Sequence, residues 1–377
     1  MRRFVGGLSA ILMAGVLQCY TWVHACSIHP DPPIWTKNPK SNVALFRVVV
    51  NGKAGYIDTQ GRILIEPQFE PFYLDPGDGD FIDGRARVLA RQGDKVVQVV
   101  IDETGTIVSH VRDSDDSTIL KLGEQSEGLQ AFAVLTPSTI GPPAPRRTHF
   151  RGYLDASGRV AIAPQFAYAG PFSEGLAAVA LDGKCWVSGY RGGRFPAPSA
   201  GAVYTSCGPM PDASITQPCH HGYIDASGKL VIEAEYELAR EFSERRSAVR
   251  AQGRWGFIDS SGRQVVDFRY QQVRNFSEQK AAVQLDGRWG YVDLNGAVVI
   301  PTLYDDALSF SGGLAPVKSS EGYIFIDPEG RKALPGSYVL ATPFVMGLAH
   351  VKTGRTTWSW INHKGKTVFT YDWDQDR

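Results

Sequence analysis

A short motif recurs along the chain at a nearly fixed spacing, and this repeat limits the folds that the chain can adopt. The motif is Gly, an aromatic residue, an aliphatic residue and Asp, with a second Gly three positions after the Asp. Its five full copies carry Gly55, Tyr56 and Asp58; Gly152, Tyr153 and Asp155; Gly222, Tyr223 and Asp225; Gly256, Phe257 and Asp259; and Gly290, Tyr291 and Asp293. Weaker copies end at Asp102, Asp327 and Asn362, which gives eight units.

The spacing is most regular in the C-terminal half. There the Asp positions are 34 residues apart, and Asn362 follows Asp327 after 35. Two aromatic positions keep the same step: Phe242, Phe276, Phe310 and Phe344, and Tyr236, Tyr270, Tyr304 and Tyr338. Three positions in phase indicate a tandem array of equivalent units, which we place at 43–370. A segment at 26–42 precedes it and a polar tail at 371–377 follows it.

Longer spacings in the N-terminal half indicate insertions, which in repeat proteins occur in surface loops. We place them near 73–84, 136–150 and 185–220. The last of these contains most of the cysteines of the chain.

A single unit reads as a three-stranded antiparallel meander. In the unit around Gly290, strands are expected at 281–285, 289–292 and 297–300. Asp286 and Gly287 form a hairpin turn between the first two, and the Asp293 turn joins the second to the third. One meander cannot bury its apolar face alone, so the units must stack. We expect an all-β fold with the units in an open superhelical array, because 34 residues are short for a propeller blade and the terminal copies are degenerate. A closed β-propeller is the alternative.

The repeated side chains are interpreted as structural. Tyr56, Tyr153, Tyr223, Phe257 and Tyr291 are expected to form a core ladder, and Phe172, Phe242, Phe276 and Phe310 to fill the space between units. The repeated Asp residues suit turn capping rather than acid–base catalysis, since each stands at the first position of a turn.

Two copies have the sequence Gly-Arg-Trp-Gly-aromatic-aliphatic-Asp, which resembles the WG repeat of bacterial repeat proteins. The run from Phe172 to Val179 is similar to the same family. Trp255 and Trp289 hold the Trp position, which Ala54, Arg151 and His221 occupy elsewhere. The resemblance covers roughly residues 43–370. It implies tandem β repeats without a known enzymatic activity, and it carries no catalytic residue over to this chain.

Residues 1–25 have the pattern of a secretory signal peptide, with Arg2 and Arg3 before a short apolar stretch. We therefore expect export to the periplasm or the exterior. Val23 to Cys26 also loosely resembles a lipobox, so a lipoprotein anchored through Cys26 is the alternative. No other stretch is long and apolar enough to predict a membrane span in the mature chain.

Exported cysteines usually form disulfides. Cys26, Cys185, Cys207 and Cys219 are the candidates, and their pairing is left open. Zinc binding by Cys185, Cys207 and Cys219 with His220 and His221 is a weaker reading, because the spacing fits no standard finger. Calcium binding by Asp75, Asp78, Asp80 and Asp83 is another, which lacks a standard calcium-loop pattern.

The charge balance disfavours nucleic-acid binding, because 39 basic residues are matched by 39 acidic ones and the two kinds are interleaved. The sequence contains no nucleophile elbow, phosphate loop or metalloprotease motif. We therefore expect a non-enzymatic binding or scaffold protein of the cell envelope, with no cofactor and with a protein or an envelope polymer as its partner. The alternative is an exported hydrolase that acts on glycan or peptide through residues in the inserted loops.

Overall fold

The computed structural model describes residues 44–71, 79–81, 84–110, 119–121, 125–134, 150–181 and 220–373. Within these ranges the chain forms β-strands and no helix, which confirms the all-β prediction. The strands make eight antiparallel sheets, one for each predicted repeat, and we number them units 1 to 8 in chain order.

The strand bounds follow the repeat. Units 1 and 2 comprise β1 (Phe46–Val50), β2 (Lys53–Ile57), β3 (Ile63–Phe69), β4 (Arg85–Gln92), β5 (Lys95–Asp102) and β6 (Ile107–His110). Units 3 and 4 comprise β7 (Ile119–Lys121), β8 (Gln130–Val134), β9 (Arg151–Leu154), β10 (Val160–Phe166), β11 (Tyr168–Ser173), β12 (Leu176–Ala180), β13 (His221–Asp225) and β14 (Leu230–Tyr236). Units 5 and 6 comprise β15 (Leu238–Ala239), β16 (Arg246–Ala251), β17 (Arg254–Asp259), β18 (Gln264–Tyr270), β19 (Gln272–Val273), β20 (Lys280–Leu285), β21 (Arg288–Asp293) and β22 (Val298–Tyr304). Units 7 and 8 comprise β23 (Asp306–Ala307), β24 (Ala315–Ser319), β25 (Gly322–Ile326), β26 (Leu340–Ala341), β27 (Leu348–Lys352), β28 (Thr357–Asn362) and β29 (Thr367–Asp372).

A complete unit has four strands, A to D in chain order, rather than the three that the sequence predicts. Strand A is a short segment that the sequence analysis assigned to the connector. In unit 6 it pairs through two residues only, Gln272 with Gln284 and Val273 with Val283. Two residues are too few to produce an alternating pattern, so this strand leaves no trace in the sequence. In units 1 and 2 the described strands are B, C and D, and in unit 7 they are A, B and C.

Aromatic side chains fill the space between consecutive units. Tyr223 of unit 4 is fully buried and its ring contacts Phe242 of unit 5, with centroids 4.9 Å apart. Tyr291 and Phe310 repeat the contact between units 6 and 7 at 4.9 Å. The phenol of Tyr291 also donates to the Leu308 carbonyl of the next unit over 2.7 Å. At these interfaces the core aromatic of one unit is therefore in direct contact with the phenylalanine of the next.

A second contact links consecutive units through the glycine of the Asp turn. An added Cβ at Gly262 of unit 5 would lie 3.2 Å from the Ile232 side chain in strand D of unit 4. The same contact occurs at Gly105, Gly228, Gly296 and Gly330, each against strand D of the preceding unit. At Gly61 of unit 1 the neighbour is Val368, in strand D of unit 8. The interface that joins consecutive units thus also joins the last unit to the first.

Apolar side chains cover this closing interface. Phe46 and Val48 of unit 1 form one buried cluster with Leu348, Trp358 and Tyr371 of unit 8. The Trp360 indole donates from Nε1 to the Arg47 carbonyl over 3.0 Å. In unit 6 the equivalent carbonyl, that of Ala282, instead accepts a hydrogen bond from the N–H of Arg274, the residue directly after strand A. The Trp360 indole therefore supplies in unit 1 the hydrogen bond that this backbone N–H supplies in units 5 to 8.

The length of the chain between units 2 and 3 supports closure. The nine Cα-to-Cα steps from His110 to Ile119 span at most about 32 Å. Clusters of buried apolar side chains each span two neighbouring units. They connect units 3, 4, 5, 6, 7 and 8 in that order, then unit 8 to unit 1, and unit 1 to unit 2. A straight stack of eight sheets would be roughly 70 Å long, which this linker cannot bridge.

The arrangement is consequently the closed alternative and not the open array that the sequence analysis favoured. The repeat length was misleading because strand A needs only two paired residues to complete a four-stranded blade. The degenerate copy in unit 8 was misleading because this unit differs from the others where it fits unit 1, and not because it caps a free end.

Candidate binding site where units 8, 1 and 2 meet

One position in strand B separates units 8, 1 and 2 from the others. It lies directly opposite the core aromatic position of strand C. In units 3 to 7 it holds Ala131, Ala178, Ala248, Ala282 and Pro316. In units 8, 1 and 2 it holds His350, Arg47 and Arg87. The four alanines are at most 6% exposed, whereas His350 and Arg47 are half-buried and Arg87 is exposed.

His350 lies among aromatic rings of its own sheet. Its imidazole stacks on Trp358 and Trp360, with centroids 4.6 and 4.4 Å apart. The Tyr371 hydroxyl and His350 Nε2 are 2.8 Å apart. Strands B, C and D of unit 8 place all four side chains on one face, because His350 pairs with Trp360 and Trp358 pairs with Tyr371. We call these four residues, together with Arg47, Tyr56 and Asp80, the seam cluster.

Charged groups from units 1 and 2 act on this face. The Tyr56 hydroxyl donates to the Gly79 carbonyl over 2.5 Å, which holds the segment 79–81 against unit 1. Burial raises the pKa of both Tyr56 and Tyr371. Arg47 opposes this rise in pKa and Asp80 adds to it, for both phenols. One guanidinium and one carboxylate therefore lie close to both tyrosines.

The protonation states favour binding over proton transfer. Burial and the nearby Arg47 charge lower the pKa of His350 to about 3, so the imidazole is neutral near pH 7. Both phenols keep their protons because their pKa values are raised. A general acid or base works best when its pKa lies near the working pH, and neither the imidazole nor the two phenols meet that condition. Stacked indoles, a neutral imidazole and a guanidinium are instead suited to hold a planar or anionic group.

Sequence reasoning missed the seam cluster, although one sequence signal pointed to it. His350 and Arg47 stand where aligned units have alanine. A polar residue in a repeated core position is a local departure of the kind that marks functional or strained sites. That the departures fall in adjacent units became visible only when units 8 and 1 were found in contact.

The repeated Asp residues form turns. Asp259 Oδ1 accepts hydrogen bonds from the Ser261 and Arg263 backbone N–H groups, at 3.0 and 3.1 Å. The same pair of bonds, to the residues two and four positions on, occurs at Asp58, Asp102, Asp155, Asp225, Asp293, Asp327 and Asn362. Hydrogen bonds from the serine hydroxyl and the backbone hold the pKa of Asp155 and Asp225 below its ordinary value. These carboxylates are thus held by their own turns.

The side chain at the Trp position packs against a residue in or directly after strand A of its own unit. Trp255 and Trp289 are buried, and the guanidinium groups of Arg240 and Arg274 lie 5.0 and 5.3 Å from their ring centroids. His221 takes this position in unit 4, where it is buried against Tyr168.

Several predicted sites lie outside the described residues. These are the signal peptide at 1–25 and Cys26, Cys185, Cys207 and Cys219. Of the acidic residues considered for calcium, Asp75, Asp78 and Asp83 also lie outside, and Asp80 belongs to the seam cluster. The part of the chain that the structure describes contains no group of three or more His, Cys, Asp or Glu placed to hold a metal. It also contains no helix long and apolar enough to cross a membrane.

A shallow cleft of about 370 Å³ lies between units 4 and 5. Its lining includes Glu235, Tyr236, Arg254, Gln264 and Phe268. Glu235 is the single carboxylate in this lining, so the cleft contains neither a pair of carboxylates nor a His beside a Ser or Cys nucleophile.

Comparison with protein families matches five stretches of the chain, at residues 55–72, 152–185, 222–253, 255–289 and 289–323, to the WG containing repeat. The chain is a WG repeat protein. The matched stretches lie in units 1 and 3 to 7. No curated protein sequence matches this WG repeat protein.

Solved structures resemble it only distantly. A eukaryotic initiation factor is 11% identical, with 87% of this chain and 85% of that chain covered and a TM-score of 0.42. BamB from Moraxella catarrhalis is 12% identical, with coverages of 76% and 89% and a TM-score of 0.39. The dihydro-heme d1 dehydrogenase NirN in complex with DHE is 13% identical, with coverages of 92% and 76% and a TM-score of 0.42. Likeness at this level has no bearing on function.

Proposed function

We propose that this WG repeat protein is an exported, non-enzymatic binding or scaffold protein of the cell envelope, which recognises a protein or polymer partner. The observation that carries the proposal is the distribution of polar side chains. The repeated carboxylates are bound by their own turns, while polar and aromatic side chains that break the repeat gather where units 8, 1 and 2 meet. Export rests on the signal-peptide pattern of residues 1–25.

Two features support recognition at this junction. Units 3 to 7 repeat one core position with small side chains, so they act as a uniform frame. Arg87 is exposed and Arg47 is half-buried at the junction, and arginine beside tryptophan and tyrosine is the composition enriched at binding hot spots. The insertion at 185–220 is a second candidate for recognition, because long loops on a rigid scaffold often carry specificity.

The test is capture by photo-cross-linking from a cell-envelope extract, followed by a titration with the purified partner. The intact chain is compared with Arg87→Ala, with a chain that lacks 185–220, and with Arg254→Ala as control, since Arg254 is exposed on unit 5. We expect saturable binding that Arg87→Ala or the deletion weakens at least tenfold and that Arg254→Ala leaves unchanged. Absence of saturable binding, or turnover of envelope glycan or peptide by the intact chain, would overturn the proposal.

A further inference from the structure

A tight turn joins strands A and B in six units, and its geometry is the same in each. In unit 5 it runs from Ser243 to Arg246, whose backbones exchange two hydrogen bonds of 2.8 and 3.1 Å. Its second residue, Glu244, has a positive φ of 55°. We call this segment the AB turn. The AB turns occupy residues 126–129, 173–176, 243–246, 277–280, 311–314 and 345–348.

The AB turns are linked in series by carboxylates. The two oxygens of Glu174 accept hydrogen bonds from the backbone N–H groups of Glu244 and Arg245 in the next unit, both 2.8 Å long. Glu244 does the same for Glu278 and Gln279, again at 2.8 Å. The second and third N–H groups of an AB turn thus form a seat that fits one carboxylate, with one oxygen on each N–H.

Two more links show the same seat. Glu127 fills it in unit 4, with bonds of 2.7 and 2.9 Å to Glu174 and Gly175. Glu278 reaches unit 7 through a 2.9 Å bond from the Gly313 N–H. In units 4 to 7 the seat is therefore occupied by a glutamate of the preceding unit.

Unit 8 has the seat without the glutamate. Its AB turn closes in the usual way, with bonds of 2.8 and 3.0 Å between Val345 and Leu348. Met346 and Gly347 have positive φ values of 47° and 94°. The residue of unit 7 that should supply the carboxylate is Gly312. Among the described residues, neither the Met346 nor the Gly347 N–H has a hydrogen-bond acceptor.

His363 stands where the missing side chain would begin. An added Cβ at Gly312 would lie 2.2 Å from His363 Nε2. The imidazole stacks on Phe344, next to the AB turn, with centroids 4.0 Å apart. Met346 is 42% exposed, and both Gly312 and His363 are exposed, so the seat is open to solvent.

We propose that the Met346 and Gly347 N–H groups, with the His363 imidazole beside them, bind the carboxylate of a ligand from outside the chain. Successive N–H groups in a turn with left-handed residues form a concave site for anions. Bonds from such groups to an ionised carboxylate are stronger than neutral ones. The glutamates bound in units 4 to 7 show that this turn takes a planar carboxylate. The proposal goes beyond the proposed function, because carboxylate binding here requires no macromolecular partner.

The test uses the few methionines of the chain. Met346 is one of four, so labelling with [15N]methionine gives its amide a resolved NMR signal and Met210 serves as internal reference. The probes are sodium acetate and a blocked Gly-Glu-Gly peptide, each titrated at constant ionic strength. We expect the Met346 amide proton to move downfield saturably while Met210 stays constant. Tighter binding of the peptide would identify an acidic peptide as the ligand, and equal binding a small free acid.

Variants distinguish carboxylate binding at this AB turn from a general effect of ions on the Met346 signal. His363→Ala removes one donor, and we expect the dissociation constant to rise roughly threefold to tenfold. The double variant Gly312→Glu with His363→Ala restores the internal carboxylate and the room for it. Its Met346 signal should be displaced before any probe is added and should not move further. Either of two results would overturn the proposal: a Met346 signal that does not shift with either probe in the unsubstituted chain, or one that still shifts with a probe in a folded double variant.

Discussion

At the scale of single residues, the path of strand D requires the first glycine of the repeat motif, the one directly before the core aromatic residue. In unit 6, Trp289 pairs with Tyr304 and Tyr291 pairs with Ile300, so three residues of strand D bulge across Gly290. A Cβ at Gly290 would lie 2.5 Å from the Ile300 carbonyl oxygen. Glycine is the one residue that lets the two backbones approach so closely.

Units without this glycine show the converse. Ser359 in unit 8 and Val99 in unit 2 take its place, and they pair directly with Thr370 and His110 with no bulge at that residue. Ile324 takes it in unit 7, where the strand D position is reduced to two isolated bridges. The glycine and the bulge therefore occur together, whereas Trp, Ala, Arg and His all occur at the preceding position.

Gly290→Ala should lower the free energy of unfolding by about 2–3 kcal/mol, because the methyl group meets backbone that cannot move without breaking the sheet. Gly287→Ala is the matched control, since Gly287 has a positive φ of 77° and no atom within 4 Å of an added Cβ. Its cost should be about 1 kcal/mol, from backbone strain alone. Urea unfolding of both variants measures the difference, and equal losses would contradict the steric explanation.

At the scale of the element, the Asp turn is a self-contained unit that joins strands C and D. Asp259 accepts bonds from the backbone of Ser261 and Arg263, and from the Ser261 hydroxyl over 2.6 Å. Asn362 makes the two backbone bonds in unit 8 with an amide oxygen. The turn thus needs an oxygen acceptor, and a negative charge is optional.

Asp259→Ala should destabilise the protein by about 1–2 kcal/mol near pH 7, because backbone N–H groups lose their acceptor, while Asp259→Asn should cost less. Hydrogen bonds from the Ser261 hydroxyl and from Arg263 lower the pKa of Asp259 to about 2. A depressed pKa adds stability that is present above pH 4 and is lost as the pH falls through 2. Unfolding curves between pH 7 and pH 2 should show a smaller loss for the Asn variant than for the natural chain. Identical pH profiles would rule out this role of the charge.

At the scale of the whole molecule, closure depends on residues that depart from the repeat. Trp360 replaces the usual Tyr or Phe of strand C, and its indole reaches the Arg47 carbonyl over 3.0 Å. Its ring also packs on Phe46, with centroids 4.9 Å apart. A tyrosine at an ordinary interface bonds to strand A of the next unit, as Tyr153 does to the Gly170 carbonyl. The closing interface between units 8 and 1 therefore uses a larger side chain to reach strand B of unit 1.

Trp360→Phe should cost about 1–3 kcal/mol, because a part-buried carbonyl loses its donor and the seam loses apolar contact. The loss should be local, so hydrogen exchange should accelerate first in the strands Phe46–Val50 and Thr367–Asp372. Tyr153→Phe is the control at an ordinary interface, and it should leave exchange in those two strands unchanged. Uniform acceleration across all eight units in the Trp360 variant would contradict a distinct closing seam.

Sequence alone determined the features that depend on short spacings. The Asp turns follow from hydrogen bonds between residues two and four positions apart. The core ladder follows from an aromatic residue at one phase of the repeat, and strands B, C and D follow from the turns on either side of them. These features are local, so each unit specifies them independently of its neighbours.

Tertiary structure decided what joins distant parts of the chain. Trp360 and Arg47 are 313 positions apart, and no periodicity relates them. His350 and Arg47 read as isolated departures from the repeat until closure brings units 8 and 1 together. The carboxylate seat of unit 8 is defined by Gly312 of the preceding unit, whose missing side chain matters only because the two turns are neighbours in space. Closure and both candidate sites are therefore properties of the ring, since each is built from side chains that different units bring together.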